Sequence, residues 1–260
     1  MTTTIVLTRP LAQSQDLASR LEQLDYEVAV FPLLEIAQLQ PNSASQLQLA
    51  ATLTNLEHYA MAAFVSPNAI HAVFRHGLKW PRAVAIAVLG EGSRTALAHY
   101  GIDDSNTRIV SPVDSLHSDS ENLLHRLDLP ALQGRRVVIF RAQTGRELLP
   151  DALLGHGILV DKVIAYQRFA PLLSPERSAQ LSQLLTCRGI WVISSSEALR
   201  TFEDMVEKSA GAAGVVKMHQ VILLVSHQRI AQIAEKSGFK QVRLIGLGDE
   251  NLLLALQSHL

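Results

Sequence analysis

The sequence predicts an α/β fold of parallel sheets covered by helices, and three observations carry that expectation. Short runs of Val, Ile and Leu alternate with longer amphipathic stretches through most of the chain, which is the pattern of strands buried on both faces. The same succession of segments occurs twice in one order, the signature of an internal duplication. At 260 residues the chain exceeds the usual single-domain size, so two moderate domains are expected.

Taken in order, the expected strands begin with TIVLTR at 4–9 and YEVAVFPLLEI at 26–36. Between them LAQSQDLASRLEQL at 11–24 is an amphipathic helix with Leu17, Leu21 and Leu24 on one face. AMAAFVS at 60–66, AVAIAVLG at 83–90 and RRVVIFRA at 135–142 are further strands; GRELLPDALLGHG at 145–157 is a helix. ILVDKVIAYQRF at 158–169, GIWVISS at 189–195, QVILLVS at 220–226 and QVRLIGLG at 241–248 complete the strand set.

The repeat is visible segment by segment. The strand, helix and strand that open at IVLTR, ending in Arg9, match those that open at VVIFR, ending in Arg141. SPNAIHAVF at 66–74 matches SSSEALRTF at 194–202, AIAVLGEGSRTALAHYG at 85–101 matches ILLVSHQRIAQIAEKSGF at 222–239, and ENLLHRL at 121–127 matches ENLLLAL at 250–256. One order and one offset of roughly half the chain argue for duplication. The halves then read A–B–A′–B′, with the long β segments at 26–40 and 158–171 at equivalent points. These are the natural linkers, apolar-alternating and not Gly/Ser-rich, and are expected to pair as strands. Both a simple division (A–B, A′–B′) and a woven one (A with B′, B with A′) fit the residues.

Composition sets limits on function. The apolar fraction of 48% and charged fraction of 18% are ordinary globular values. With 23 basic and 24 acidic side chains there is no global field to attract nucleic acid or an anionic membrane, so a polyanion would need a local site. No apolar run reaches a membrane span and MTTTIVLTRP lacks the features of a secretory signal, so a cytoplasmic protein is expected. Cys187, in LLTCRGIWV, is expected to be a small buried thiol with no disulfide partner.

In open α/β sheets ligands sit beyond the carboxyl ends of strands, where helix N-termini present free N–H groups. That rule selects Ser66, Pro67 and Asn68 after one strand and Ser194, Ser195 and Ser196 at the matching point of the other half. Each turn can cap a helix or bind an anion. GEGSRTA at 90–96 offers the backbone amides of Gly92 and Ser93 to a carboxylate, but lacks the spacing of a dinucleotide loop. Arg9 and Arg141 end equivalent strands, where a guanidinium can grip a carboxylate bidentately or form an internal ion pair. The ten histidines show no metal-site spacing, and neither a GxSxG elbow nor a P-loop occurs, so no metal or organic cofactor is expected.

With these residues assembled, the chain resembles the uroporphyrinogen-III synthase family over essentially its whole length. The resemblance rests on VLTRP at 6–10, SPNAI at 66–70, VLGEGSRTALAHYG at 88–101, SENLL at 120–124 and LQGRRVVIFRAQTGRELLPDAL at 132–153. It continues through VIAYQRFAP at 163–171, SSSEAL at 194–199, SHQRIAQIAEKSGF at 226–239 and DENLLLAL at 249–256. It implies two Rossmann-like parallel-sheet domains joined by a two-stranded β-ladder. The domains would comprise residues 1–35 with 170–260, and residues 40–160, with linkers at about 36–39 and 161–169. It also implies a cofactor-free, cytoplasmic, monomeric enzyme that binds hydroxymethylbilane between its domains and makes transient contact with the preceding pathway enzyme.

The implied reaction is loss of the terminal hydroxyl as water to give an azafulvene. The substituted carbon of the last ring then attacks, and rearrangement through a spiro intermediate gives the ring-inverted macrocycle. Tyr166 matches the family's tyrosine and is the expected proton donor, a phenol being only a weak acid. Ser66, Asn68, Gly92, Ser93, Ser194, Ser195, Ser196, Arg9, Arg141, Arg146 and Arg229 are the expected carboxylate contacts. Ser93 stands where the family usually has Thr, and SHQRIA at 226–231 reads as one residue longer than the corresponding turn. Two other classes fit an α/β duplication: a two-lobed small-ligand binding or sensor protein, and a nucleotide-dependent transferase. The first is usually exported and the second needs a phosphate-cradling glycine motif.

Overall fold

The computed structural model describes residues 3–75, 77–112, 120–187, 189–246 and 248–258. Leu247, inside the strand expected at 241–248, lies outside the described residues, as do Met1 and Thr2 of the N-terminus. The first half contains β1 (Thr4–Leu7), α1 (Leu11–Glu22), β2 (Glu27–Val30), β3 (Glu35–Ala37), α2 (Ala44–Thr54), β4 (Met61–Phe64), α3 (Pro67–Phe74), β5 (Ala85–Val88), α4 (Glu91–His99), β6 (Ile109–Val110), α5 (Ser120–Leu124) and α6 (Leu129–Leu132). The second contains β7 (Arg136–Ala142), α7 (Leu148–Gly155), β8 (Leu159–Phe169), α8 (Pro175–Thr186), β9 (Gly189–Ile193), α9 (Ser196–Met218), β10 (Ile222–Val225), α10 (Gln228–Ser237), β11 (Gln241–Leu244) and α11 (Asp249–Gln257).

Two compact units result, Met1–Glu35 with Phe169–Leu260, and Ile36–Arg168. The first holds a five-stranded sheet in the order β11-β10-β9-β1-β2, parallel throughout. The second holds a six-stranded sheet in the order β3-β8-β7-β4-β5-β6, parallel from β8 to β6. Set side by side, β11-β10-β9-β1-β2 corresponds strand for strand to β6-β5-β4-β7-β8, so the repeat read from the residues is a repeat of topology. Each sheet draws strands from both halves of the sequence, because β1 pairs with β9 and β4 with β7. The two long β segments are neighbours as β3 and β8 and are continuous with the second sheet.

Period-two alternation explains how each sheet is covered twice. In the second unit Ala62, Phe64, Val138 and Phe140 pack with residues of α2, α3 and α4, while Met61, Ala63, Val137 and Ile139 pack with Leu123 of α5 and Leu149 and Leu153 of α7. In the first unit Val6, Trp191, Leu223 and Val225 pack against α8, α9 and α10, and Ile5, Leu7, Val192 and Leu224 against α1 and α11. Large aromatic rings fill the first of these layers in each unit: Phe64 stacks on Phe140 at 5.1 Å and Trp191 on Phe202 at 4.2 Å. Full burial of side chains of this size contributes roughly 1.5–3 kcal/mol each.

Several expectations are corrected. The strand expected at 26–36 breaks into β2 and β3, with Pro32 between them, which has no N–H for the ladder. Helix α1 ends at Glu22 and Asp25 closes the turn at φ 62°, so Leu17 and Leu21 are buried but Leu24 is 44% exposed. The helix expected from 145 begins at Leu148. Cys187 is exposed: it stands beyond the last turn of α8 with extended backbone, off the apolar face of Leu181, Leu184 and Leu185. The two-residue edge strand β6 was not expected. Among the described residues no helix is long and apolar enough to cross a membrane.

Candidate active site

Strand order locates the point at which each sheet reverses direction. From β4 the chain runs outward through β5 to β6, and from β7 it runs the other way to β8, so the reversal in the second unit lies between β4 and β7. In the first unit it lies between β9 and β1. Beyond the carboxyl ends of such strand pairs an open α/β sheet leaves a crevice for a ligand. The turns flanking these two points are Ser66–Asn68 with Gln143–Glu147 in the second unit, and Ser194–Ser196 with Thr8–Pro10 in the first. Of these, residue type singles out Ser66–Asn68 and Ser194–Ser196 as turns, and Arg9 and Arg146 as single residues.

Tyr166 reaches the second of these edges through an irregularity in β8. Arg141 stands opposite Ile164, but Ala142 stands opposite Tyr166, so β8 carries one extra residue. Val163 and Ala165 already face the core that contains Phe64 and Phe140, and simple alternation would turn Tyr166 away from it. The bulge places Tyr166 in the same core, 3% exposed. Its hydroxyl lies 2.9 Å from Ser66 Oγ, and either oxygen can donate.

Ser66 is the N-cap of α3, where its Oγ accepts from the Ala69 N–H at 3.2 Å. Pro67 and Asn68 open the helix. The neighbouring turn is close by: a Cβ on Gly92 would lie 3.8 Å from Pro67 Cγ. Gly90 is the N-cap of α4, Gly92 is exposed in its first turn, and Ser93 is buried with its N–H bonded to the Gly90 carbonyl. The second unit therefore brings together Ser66, Asn68, Gly92, Ser93 and Tyr166.

The arginines are differently placed. Arg141 is buried and donates from Nη1 to Glu147 Oε1 at 2.8 Å, with Lys162 Nζ 3.0 Å from the other Glu147 oxygen. Lys162, and then Arg141, hold the Glu147 carboxyl below the usual range. Gly145 makes this possible, since a Cβ there would sit 2.9 Å from Arg141 Nη2. Arg146 forms a two-pronged pair with Glu121, one contact at 3.0 Å. In the first unit Arg9 donates to Asp249 Oδ1 at 2.5 Å.

In that same unit Ser195 is the N-cap of α9 and accepts from the Ala198 N–H at 3.1 Å. Ser194 is exposed, and the Ser196 Oγ is shielded and has no hydrogen-bond partner among the described residues. Thr8 donates to the Val192 carbonyl at 2.5 Å, tying the ends of β1 and β9. Arg229 follows the N-cap His227, whose Nδ1 accepts from its N–H. A single residue separates strand from cap both here (Ser226) and before α4 (Leu89), so the extra residue expected in SHQRIA is not there.

A family model described as uroporphyrinogen-III synthase HemD matches residues 15–244. The chain belongs to the uroporphyrinogen-III synthase family. Its members are cyclising lyases of tetrapyrrole biosynthesis. The uroporphyrinogen-III synthase of Escherichia coli is 29% identical over 97% of this chain and 99% of its own length, and that of Salmonella typhimurium 28% over the same shares. Solved synthases from Thermus thermophilus and Helicobacter pylori share the fold, with TM-scores of 0.63 and 0.60 at 16% and 15% identity. The first alignment covers 99% of this chain and the second all of it, and each covers the whole of the other protein.

Two residues beside the candidate site escaped sequence reasoning. Gln143 pairs its side-chain amide with both backbone polar groups of Arg168, accepting from the N–H at 3.0 Å, and so extends the β7–β8 pairing beyond Tyr166. Glu147 gathers Arg141 and Lys162. Neither carries a motif signal. The one clue was their setting in RAQTGRELL, directly after a strand. Among the described residues no group of three His, Cys, Asp or Glu is arranged to hold a metal.

Proposed function

We propose that this chain cyclises hydroxymethylbilane to uroporphyrinogen III, with loss of water and inversion of the last pyrrole, and that Tyr166 assists departure of the hydroxyl. Family membership over nearly the whole chain is the observation that carries the activity. The Tyr166–Ser66 contact supports the tyrosine's role. With Ser66 donating to the phenol oxygen, the Tyr166 proton is left for the leaving hydroxyl, and the same bond stabilises the phenolate that results. A phenol is a weak acid, so its share belongs at the lower end of the roughly 10²–10⁴-fold given by positioned proton donors. Holding the ends of the linear substrate in near-attack geometry supplies the larger part.

The substrate's carboxylates face a protein of net charge −1, and helix N-termini meet them without a basic surface. Asn68 and Gly92 in the second unit, and Ser194, Ser195 and Ser196 in the first, stand at such termini; the N–H groups of Ser93 and Arg229 are taken by Gly90 and His227, so these two residues contribute through their side chains. Arg9, Arg141 and Arg146 have carboxylate partners within the protein. Their part in this reading is to hold the strand-end turns in shape, with the exposed face of Arg146 turned to substrate as well. The reading includes a monomer acting in the cytoplasm. Freshly prepared hydroxymethylbilane, mixed with the protein and resolved into ring isomers, tests it. Enzyme-dependent type III product is expected; type I alone, the product of spontaneous closure, refutes it.

A further inference from the structure

The outer edge of the second sheet carries a basic recess two strands away from the β4–β7 reversal. We infer that it is a binding site for a small polyanion bearing two or more carboxylate or phosphate groups. Arg94, Arg108 and Arg126 converge there with Ser111 on a recess of about 410 Å³, and among the described residues no acidic side chain lines it. That volume falls within the range typical of small-molecule sites. Its lining of guanidinium and backbone groups suits a charged ligand and not an apolar one.

The three arginines divide the work. Arg94, on α4, is fixed: Nε donates to Ser111 Oγ at 2.9 Å, Nη1 to Asp104 Oδ2 at 2.8 Å and Nη2 to the Ile109 carbonyl at 3.5 Å. It ties α4 to the end of β6 and is neutralised by Asp104. Arg108, directly before β6, and Arg126, just beyond α5, are exposed, and their guanidinium groups have no hydrogen-bond or ion-pair partner among the described residues. Two unpaired guanidinium forks facing one recess repel each other unless an anion lies between them. A ligand with one acid group satisfies a single fork, whereas one with two bridges both, each through paired N–H donors.

Calorimetric titration of the full chain in low-salt buffer tests the site, with citrate as the polycarboxylate probe and pyrophosphate as the phosphate probe. Saturable binding of either at one site per chain is expected, weakening as salt is added. The Arg108→Ala/Arg126→Ala variant should bind at least about tenfold more weakly, since each charge-assisted contact removed is worth close to that factor. Its thermal midpoint and cyclisation turnover should match the parent's. A response to citrate alone assigns carboxylates as the ligand groups, and a response to pyrophosphate alone assigns phosphates. Failure of both probes to bind, or binding that the double substitution leaves unchanged, overturns the proposal. Because the readout is binding and not cyclisation, it is independent of the reading of the active site.

Discussion

At the scale of single residues the proposed chemistry rests on Tyr166 and Ser66, whose hydroxyls lie 2.9 Å apart. The Tyr166 ring fills a core position, so Tyr166→Phe keeps the packing and removes only the hydroxyl. The expected result is a turnover lowered by about 100-fold with a thermal midpoint only about 2–4 °C lower, from loss of the one hydrogen bond to Ser66, measured by steady-state kinetics beside calorimetric melting. Undiminished turnover would make Tyr166 a packing residue. Ser66→Ala removes two things at once, the cap of α3 and the partner of the phenol. Loss of a Ser cap costs about 1 kcal/mol, which in a chain of this size lowers the midpoint by roughly 2–4 °C. Turnover should fall less than in Tyr166→Phe, because the proposed proton donor remains. A variant that loses stability but not turnover would show that Ser66 serves only the helix. The Tyr166–Ser66 pairing was not legible in the sequence, where the two stand 100 positions apart. Residue type and turn position nominated each separately, and only the fold joins them.

Elements were legible where a single rule governed them. Central strands such as β4, β7 and β9 read as apolar runs because both of their faces are covered, and they occur within a residue or two of expectation. Legibility failed where tertiary contacts override the local pattern. Strand β6 is too short to show a period, and the bulge in β8 shows only in its pairing with Arg141 and Ala142. Helix α9 gives a further case: it looks continuous over Ser196–Met218, yet Gly211 has φ 53° and ψ −153°, a backbone conformation that essentially only glycine adopts. Gly211→Ala should therefore cost about 1–3 kcal/mol in denaturant unfolding, with kinetics of cyclisation unaltered. An equally stable variant would mean that the helix straightens without penalty.

For the molecule as a whole, duplication is the organising fact. Both sheets share the order of their five corresponding strands, and each reverses between two strands followed by turns with Ser and Arg positions that the sequence had singled out, while Gly92 and Arg229 stand one strand further out. Part of the candidate site could be nominated without a structure for this reason: ligands of open α/β sheets gather at a topological reversal, where small polar turn residues leave helix N-termini open. Which arginines face outward was not legible, because Glu147, Glu121 and Asp249 come to Arg141, Arg146 and Arg9 only through the fold. Ring inversion by this chain with Tyr166 as its acid is decided by the isomer ratio as a function of enzyme concentration. Wild-type protein should drive the product from type I to type III as enzyme is raised, with Tyr166→Phe needing about 100-fold more protein for the same ratio. Type I product at every concentration of the wild-type protein would contradict it.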